Sequence, residues 1–359
     1  MSQFKLLVAE DKDDELEACR DSVARFRNDR KREVEIVECK TREKAYQVLD
    51  NTFDGAIIDL KLPDTGTEGN DIVKHIAQNH WRIPTVIFTG TPDNADRGFA
   101  YVAIYKKGEV SYFDLLDRFA RIYDTGLTRI LGGRGEIEDV LNSVFTRNIL
   151  PRLDFWVNYA AASPDKAQRA LLRFTLNHLM QILENDGDRF LAEEVYISPP
   201  LTAEMKTGSI VKKKGNLESR IVLNPACDLV VRSDGKPKTD RFLLAEIENE
   251  IDIREMVLLG IKKAGSRTSR LEDLLKNNYC DYYHWLPKTN DFRGGFINFR
   301  KIAAFSSEEI NTQFEVPNVE VSHQFVKDIV ARFSSYYGRQ GQPEIDFKHD
   351  LEDLLTDAS

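Results

Sequence analysis

The stretch DGAIIDLKLPD, residues Asp54 to Asp64, decides the fold. Its apolar run ends on a carboxylate, Asp59, and passes straight into Leu60, Lys61, Leu62 and Pro63. A buried strand has no use for a charge at its tip, so Asp59 reads as a residue kept for chemistry. Upstream, FKLLVA (Phe4–Ala9) is a second short apolar run, and it too stops at acids, Glu10 and Asp11. Between the two runs, Leu16, Cys19, Val23 and Phe26 recur at helical spacing behind an acid-rich first turn, which the helix dipole favours. EVEIVEC alternates as a strand. TREKAYQVLDN reads as a helix capped by Thr41, with Ala45, Val48 and Leu49 inward. Downstream follow a helix in GNDIVKHIAQN, strands in TVIFTG and VAIYK, and a closing amphipathic helix in SYFDLLDRFARIYDTG. Strands alternating with helices predict an α/β fold with a doubly wound, five-stranded parallel sheet covered on both faces. Ligands of such sheets bind at the carboxyl ends of the strands.

The chain as a whole sets bounds. Its 359 residues are too many for one ordinary core and predict two or more domains. No apolar stretch approaches the ~20 residues of a membrane span, so no membrane association is expected. The N-terminus turns acidic too early for a signal peptide. Four cysteines, Cys19, Cys39, Cys227 and Cys280, stand far apart, which argues against a disulfide framework or zinc site and fits a reducing cytoplasm. A net charge of −9 disfavours a nucleic-acid partner. No helix-turn-helix signature, Walker loop, HExxH or GxSxG occurs.

In the expected sheet, Glu10 and Asp11 end strand one, Asp59 ends strand three, Thr89 ends strand four, and Lys106 and Lys107 end strand five. If strands one and three are neighbours, three carboxylates converge. Close like charges need a compensating cation, and Mg²⁺ prefers such an oxygen-rich site. Acids, a hydroxyl and a lysine at successive strand ends suit phosphoryl transfer to a carboxylate. Asp13, Asp14, Asp54 and Asp64 read as solvated loop acids.

VAED, DGAIIDLKLPD, VIFTG and YKKGE, in this order, resemble the receiver domain of two-component response regulators over residues 1 to about 125. The resemblance implies that Asp59 is the phospho-acceptor. It implies that Asp11, Asp59 and the backbone carbonyl of Lys61 hold Mg²⁺, with Glu10 assisting through water. Thr89 would bond the phosphoryl group, and a lysine would pair with it. That lysine is Lys107, which precedes the glycine standing where the family has proline, or its neighbour Lys106. The implied phosphoryl source is a histidine kinase or phosphotransfer protein. Thr89 and Lys107 stand closer together than in the family pattern, so TPDNADRGFAYVA leaves little room for a fourth helix, and Tyr105 is off the family's aromatic offset.

GLTRILGGRGEIED reads as a junction, which divides the chain into a receiver (1–125), a helical linker or packing region (126–190) and an α+β output domain (191–359). The linker has broad apolar faces and a helix starting at Ser163-Pro164, and helices 135–184 are a candidate homodimer surface. His178 there reads as structural. From Ser209 the pattern becomes hairpin-rich, with turns at KGN and SDGK and two late strands around Gly294-Gly295; an α+β, barrel-like core is expected. GSIV…RIVLNPACDL resembles the SH3-like barrels of some toxin ribonucleases, over too short a span to carry a residue across. Cys227, beside Asp228 and expected just before a strand, is a candidate nucleophile only if His284 or His323 serves it as base; otherwise it is a buried structural cysteine. Three readings of function follow: a response regulator with an atypical output domain that does not bind DNA, a receiver-gated nuclease or hydrolase, or a phosphate sink in a stress or phage-defence phosphorelay.

Overall fold

The computed structural model describes residues 3–63, 66–99, 103–184, 189–232, 235, 237–339, 345–348 and 351. Asp64 and most of the acidic tail after Pro343 lie outside them. The chain divides into two compact units, Met1–Gly187 and Asp188–Ser359.

The first unit begins β1 (Phe4–Ala9), α1 (Asp13–Arg30), β2 (Val34–Cys39), α2 (Arg42–Val48), β3 (Gly55–Ile58), α3 (Glu68–Gln78), β4 (Thr85–Thr89), β5 (Ala103–Lys106) and α4 (Tyr112–Asp124). The five strands are parallel and ordered β2-β1-β3-β4-β5, the flavodoxin-like order. Side chains alternate across each strand, so β1 feeds two cores. Phe4, Leu6 and Val8 pack with Phe26 of α1 and Phe119 of α4. Leu7 and Ala9 pack on the other face with Ala45 of α2 and Ile72 and Ile76 of α3. The predicted inner face of α1 is buried, and the Thr41 hydroxyl caps α2 by accepting from the Lys44 N–H at 3.1 Å. Ser111 and Asp114 form a reciprocal capping box that fixes the start of α4. Between β4 and β5 the described residues hold only a 3₁₀ turn, Pro92–Asn94, so the short crossover has no room for a helix.

Four more helices follow: α5 (Leu127–Leu131), α6 (Glu136–Val144), α7 (Leu153–Ala162) and α8 (Pro164–Glu184). The glycine-rich junction is fastened to the strand-entry end of the sheet. The Gly133 N–H donates to Asn51 O at 2.9 Å, and Arg134 donates to Thr52 O at 2.7 Å. Arg82 bonds Leu131 O and pairs with Glu138 at 2.6 Å. α7 and α8 form a hairpin in which Trp156 meets Phe174 edge-on at 5.5 Å. His178 is part of this packing: its ring lies 4.3 Å from that of Phe174, and its Nδ1 donates to Phe174 O at 2.7 Å.

The second unit contains β6 (Tyr196–Ile197), β7 (Ser209–Lys212), β8 (Ser219–Val222), α9 (Ala226–Leu229), β9 (Arg241–Glu248), α10 (Glu250–Leu258), α11 (Ala264–Leu275), β10 (Tyr283–Leu286), β11 (Gly295–Ser306), α12 (Ser307–Gln313), β12 (Val319–Val321) and α13 (His323–Gly338). Seven strands pair antiparallel in the order β10-β11-β9-β8-β7-β12-β6. The sheet curls into a half-barrel. Tyr196 next to one edge donates its hydroxyl to Pro287 O, just past the other edge, at 2.7 Å. Ile221, Ile247, Ile297, Phe299 and Val321 pack with Ile329 of α13 in the concavity. The expected strand after Cys227 does not form. Pro225 leads into the helical turn α9, and Val230 and Val231 are exposed, so the apolar run DLVV carries no ladder beyond a single bridge at Val231.

Gly55 tests the tightest helix–sheet contact. A Cβ there would overlap the Phe119 ring and come 2.8 Å from Leu6 Cδ2. Gly55→Ala is expected to destabilise the first unit by about 1–3 kcal/mol through overpacking, read as a lower urea midpoint with unchanged secondary structure by circular dichroism.

Candidate functional site

β1 and β3 are neighbours in register, with Ala9 opposite Ile58, so the residues that follow them emerge side by side. The ladder continues one step further: the Asp59 N–H donates to Ala9 O at 2.9 Å, and the Glu10 N–H to Cys39 O at 2.9 Å. Carboxylate oxygens of Glu10, Asp11 and Asp59 all lie within 4.8 Å of one another. Glu10 and Asp59 are buried, and Asp11 is partly exposed.

Lys107 follows β5 and closes this cluster. Its Nζ donates to Glu10 Oε2 and, at 2.6 Å, to Asp59 Oδ2. Lys106, one residue earlier, points away and is exposed. The Lys107 N–H donates to Thr89 O at 2.9 Å, which extends the β4–β5 ladder far enough to deliver the ammonium. The Thr89 side chain is buried and its hydroxyl accepts from the Thr91 N–H at 3.3 Å. Lys61 is exposed, but its N–H donates to Asp59 Oδ1 at 3.2 Å, which places its backbone beside the acid. The structure therefore gathers Glu10, Asp11, Asp59, Thr89, Lys107 and the Lys61 backbone at one sheet edge and leaves the Lys106 side chain outside.

The electrostatics follow from burial. Desolvation raises the Glu10 carboxyl above its ordinary value, partly opposed by hydrogen bonding to Lys107. Desolvation alone would pull the Lys107 ammonium down, but its bonds to Asp59 and Glu10 outweigh this and hold it above its ordinary value. Tyr112 sits under the site, 3.5 Å from Glu10 Oε2, and burial raises its phenol further. Three carboxylates against one ammonium leave a surplus of negative charge. Asp11 Oδ1 is buried with no hydrogen-bond partner. An orphaned carboxylate oxygen beside two other carboxylates is the donor set of a hard divalent cation, so these residues fit Mg²⁺.

Two residues escaped the sequence reading. Glu68 is fully buried at the start of α3, and its carboxylate accepts from the Gly66 N–H at 3.0 and 2.9 Å and from the Leu62 N–H at 3.3 Å. It thereby shapes the loop after Asp59. Gly69 approaches the Asp59 backbone so closely that a Cβ would lie 2.7 Å from Leu60 Cα. An acid in a first helical turn and a glycine in a helix carry no special sequence signal. Cys227, by contrast, is exposed rather than buried, and its Sγ has only Asp228, at 3.8 Å, as a hydrogen-bond partner among the described residues. Neither His284 nor His323 bonds to it among the described residues, so the pairing that the nucleophile reading requires is not present there.

Solved structures similar in fold cover the N-terminal third. A response regulator receiver protein from Pseudoalteromonas atlantica matches 34% of this chain and 98% of its own at 15% identity and a TM-score of 0.29. A response regulator receiver domain from Methylobacillus flagellatus matches 33% of this chain and 99% of its own at 17% identity and 0.28. The N-terminal domain of a three-domain response regulator protein from Carboxydothermus hydrogenoformans matches 34% and 98% at 21% identity and 0.26. No protein-family model matches the chain. No curated protein matches it either.

Removing the ammonium tests the cluster. Lys107→Met leaves Glu10 and Asp59 facing each other without a counter-charge, and is expected to cost about 3–5 kcal/mol in urea unfolding near pH 7.5 without divalent ions. Because the folded-state Glu10 carboxyl titrates above its unfolded value, it takes up a proton first as pH falls, and the repulsion is relieved. The deficit should therefore shrink between pH 7.5 and pH 5; an equal deficit at both would show that Lys107 acts through packing.

Proposed function

We propose that the chain is a phosphorylation-dependent response regulator in a two-component phosphorelay, with Asp59 as acceptor. The observation that supports this best is the Lys107 ammonium held between Glu10 and Asp59 beside an unpartnered Asp11 oxygen. The donor is a phosphohistidine on a histidine kinase or phosphotransfer protein. An Asp59 carboxylate oxygen attacks phosphorus, the P–N bond breaks, and the departing imidazole nitrogen keeps the electron pair and takes a proton. Lys107 stays beside the acceptor as the cation for the new phosphoryl oxygens. The Thr89 hydroxyl, which accepts from the Thr91 N–H, has its own O–H free to donate to one of them. Asp11, Asp59, the Lys61 carbonyl and, through water, Glu10 would hold Mg²⁺, which when bound neutralises charge on the phosphoryl oxygens. Residues 1–125 serve as receiver, 126–190 as helical linker, and 191–359 as an output domain that acts through protein contacts.

The helical linker is the assembly surface of this reading. Leu153, Phe155, Val157 and Tyr159 on α7 are exposed, as are Leu172, Leu176 and Met180 on α8. The α8 residues repeat every four positions and form one stripe. Two helices that expose this much apolar side chain suit a second copy of themselves, giving a four-helix bundle in a homodimer.

Incubation with Mg²⁺ and acetyl phosphate, read by intact mass, is expected to add one phosphoryl group to wild type and none to Asp59→Ala. Chelation should abolish the gain, and equal modification of both proteins would reject Asp59 as acceptor. Light scattering should give twice the chain mass for wild type at micromolar concentration and the single-chain mass for Leu172→Glu/Leu176→Glu. A monomeric wild type would reject the bundle.

A further inference from the structure

The second unit exposes two apolar surfaces. One is an open cavity of about 830 Å³ between the loop before β7, the turn around α9, the edge strand β6, β12 and α13. Val230, Val231, Ile197, Val326 and Val330 are among its walls, and Val230 is 60% exposed. On α13 the lining residues His323, Val326, Lys327 and Val330 recur three and four positions apart, so they share one face of that helix. The other surface lies on the segment after α13. There the Asp346 carboxylate accepts from the Lys348 N–H at 3.3 Å, and the Leu351 N–H donates to Phe347 O at 2.9 Å, which is a capped first helical turn. Its apolar side chains Ile345, Phe347 and Leu351 are exposed, Phe347 to 65%. In sequence Leu354 and Leu355 continue the spacing, so positions 347, 351, 354 and 355 mark one helical face.

Contiguous exposed apolar surface marks an interaction site, and here a groove and a helix face stand open in the same unit. Anchors at i, i+4 and i+7 are the spacing of a helix that lies in an apolar groove. The tether allows the two to meet. α13 ends at Gly338, and Val330 and Val326 lie ~12 and ~18 Å back along its axis, whereas the chain from 339 to 346 can extend ~26 Å. Charge then sets the direction. Between positions 344 and 357 the sequence has six acids against one lysine, Lys348. Among the charges that line the cavity, Lys206 is paired with Glu320 at 3.5 Å, and Glu204 stands on the same loop as Lys206. Lys327 has no ion-pair partner among the described residues, so the α13 wall is the positive one. An exposed pair is worth little, so the apolar anchors supply the affinity and Lys327 the orientation.

We infer that residues 345–355 dock as an amphipathic helix in the cavity beside α13 of their own chain. Phe347, Leu351 and Leu354 are the anchors, the acids run along Lys327, and the docked segment closes this surface to other occupants. Hydrogen exchange of the full chain, followed by mass spectrometry, tests it. Amides of residues 347–355 should exchange at least about tenfold more slowly than in a free peptide of the same sequence. Phe347→Ser/Leu351→Ser should remove that protection and speed exchange at residues 226–231 on the cavity wall. Val230→Glu, at a position already in solvent, should remove it as well, and Lys327→Glu should lower it about twofold to threefold. The Val230 substitution separates docking from intrinsic helix formation, which it does not touch. Circular dichroism and melting temperature check that each variant folds; if Val230→Glu does not, Val231→Glu takes its place. Three results each overturn the inference: exchange as fast as in the free peptide, protection unchanged in folded Val230→Glu, or protection that grows with chain concentration and so assigns the segment to a second copy.

Discussion

One ammonium, that of Lys107, holds the carboxyl edge of the first unit together. Glu10 and Asp59 are both out of water, at 2% and 5% side-chain exposure, and each desolvated ion costs several kcal/mol before its partner is counted. Without Lys107 one of the two would take up a proton, and the edge would lose the charge on which its chemistry rests. The strands make this economical. Because β1 and β3 are neighbours buried on both faces, their last residues cannot spread apart, and the carboxylates stay close whether or not they repel. Rigid walls and one internal cation leave Asp11 Oδ1 as the remaining uncompensated atom. The site thus carries more carboxylates than the one ammonium balances, which is the setting a hard divalent cation fits.

How Lys107 arrives there separates what the sequence could reveal from what it could not. Four apolar runs ending in acids, a threonine and lysines, with one alternating strand among them, were legible, because a two-faced parallel sheet leaves little freedom in where such runs go. Only the glycine after Lys107 favoured it over Lys106, because the pleat puts adjacent residues on opposite sides and no periodicity marks which side faces Glu10. In the folded chain the ladder bond from the Lys107 N–H to Thr89 O goes with a Lys107 ammonium on Glu10 and Asp59. Glu68 and Gly69 were invisible for a different reason: their roles are contacts with backbone atoms of the Asp59 loop, which no periodicity encodes. Around Cys227 the error ran the other way. DLVV has the composition of a strand, but Pro225 sets a helical turn first, and the valines that follow stay in solvent.

The crossover from β4 to β5 and the helices after α4 belong to one constraint. Among the described residues only a 3₁₀ turn stands between those strands, in place of the surface that a fourth crossover helix would supply. Apolar surface of helical spacing is instead concentrated after the sheet, on α7 and α8. The junction between is no free tether, since Gly133, Arg134 and Arg82 bind it to the strand-entry end, opposite the acid cluster. A change at the carboxyl edge must therefore reach the helices through the sheet and its cores, which are packed on both faces, rather than through the junction.

The second unit handles charge differently, and the contrast bears on what it can recognise. On β9, Glu246 and Glu248 alternate with buried Ala245 and Ile247, so the acids share the sheet's wetter face. There Arg220 pairs with Glu218 at 2.6 Å and Glu246 at 3.7 Å, and Lys301 pairs with Glu246 at 3.2 Å and Glu248 at 2.6 Å. Each such pair at a surface is worth little, yet together they match Arg220 of β8 and Lys301 of β11 to acids of the same sheet. Lys213 joins the ladder at Glu218, 3.4 Å away, so three bases face three acids, while Arg300 of β11 stands outside it with its guanidinium 3.7 Å from the Tyr282 ring centroid.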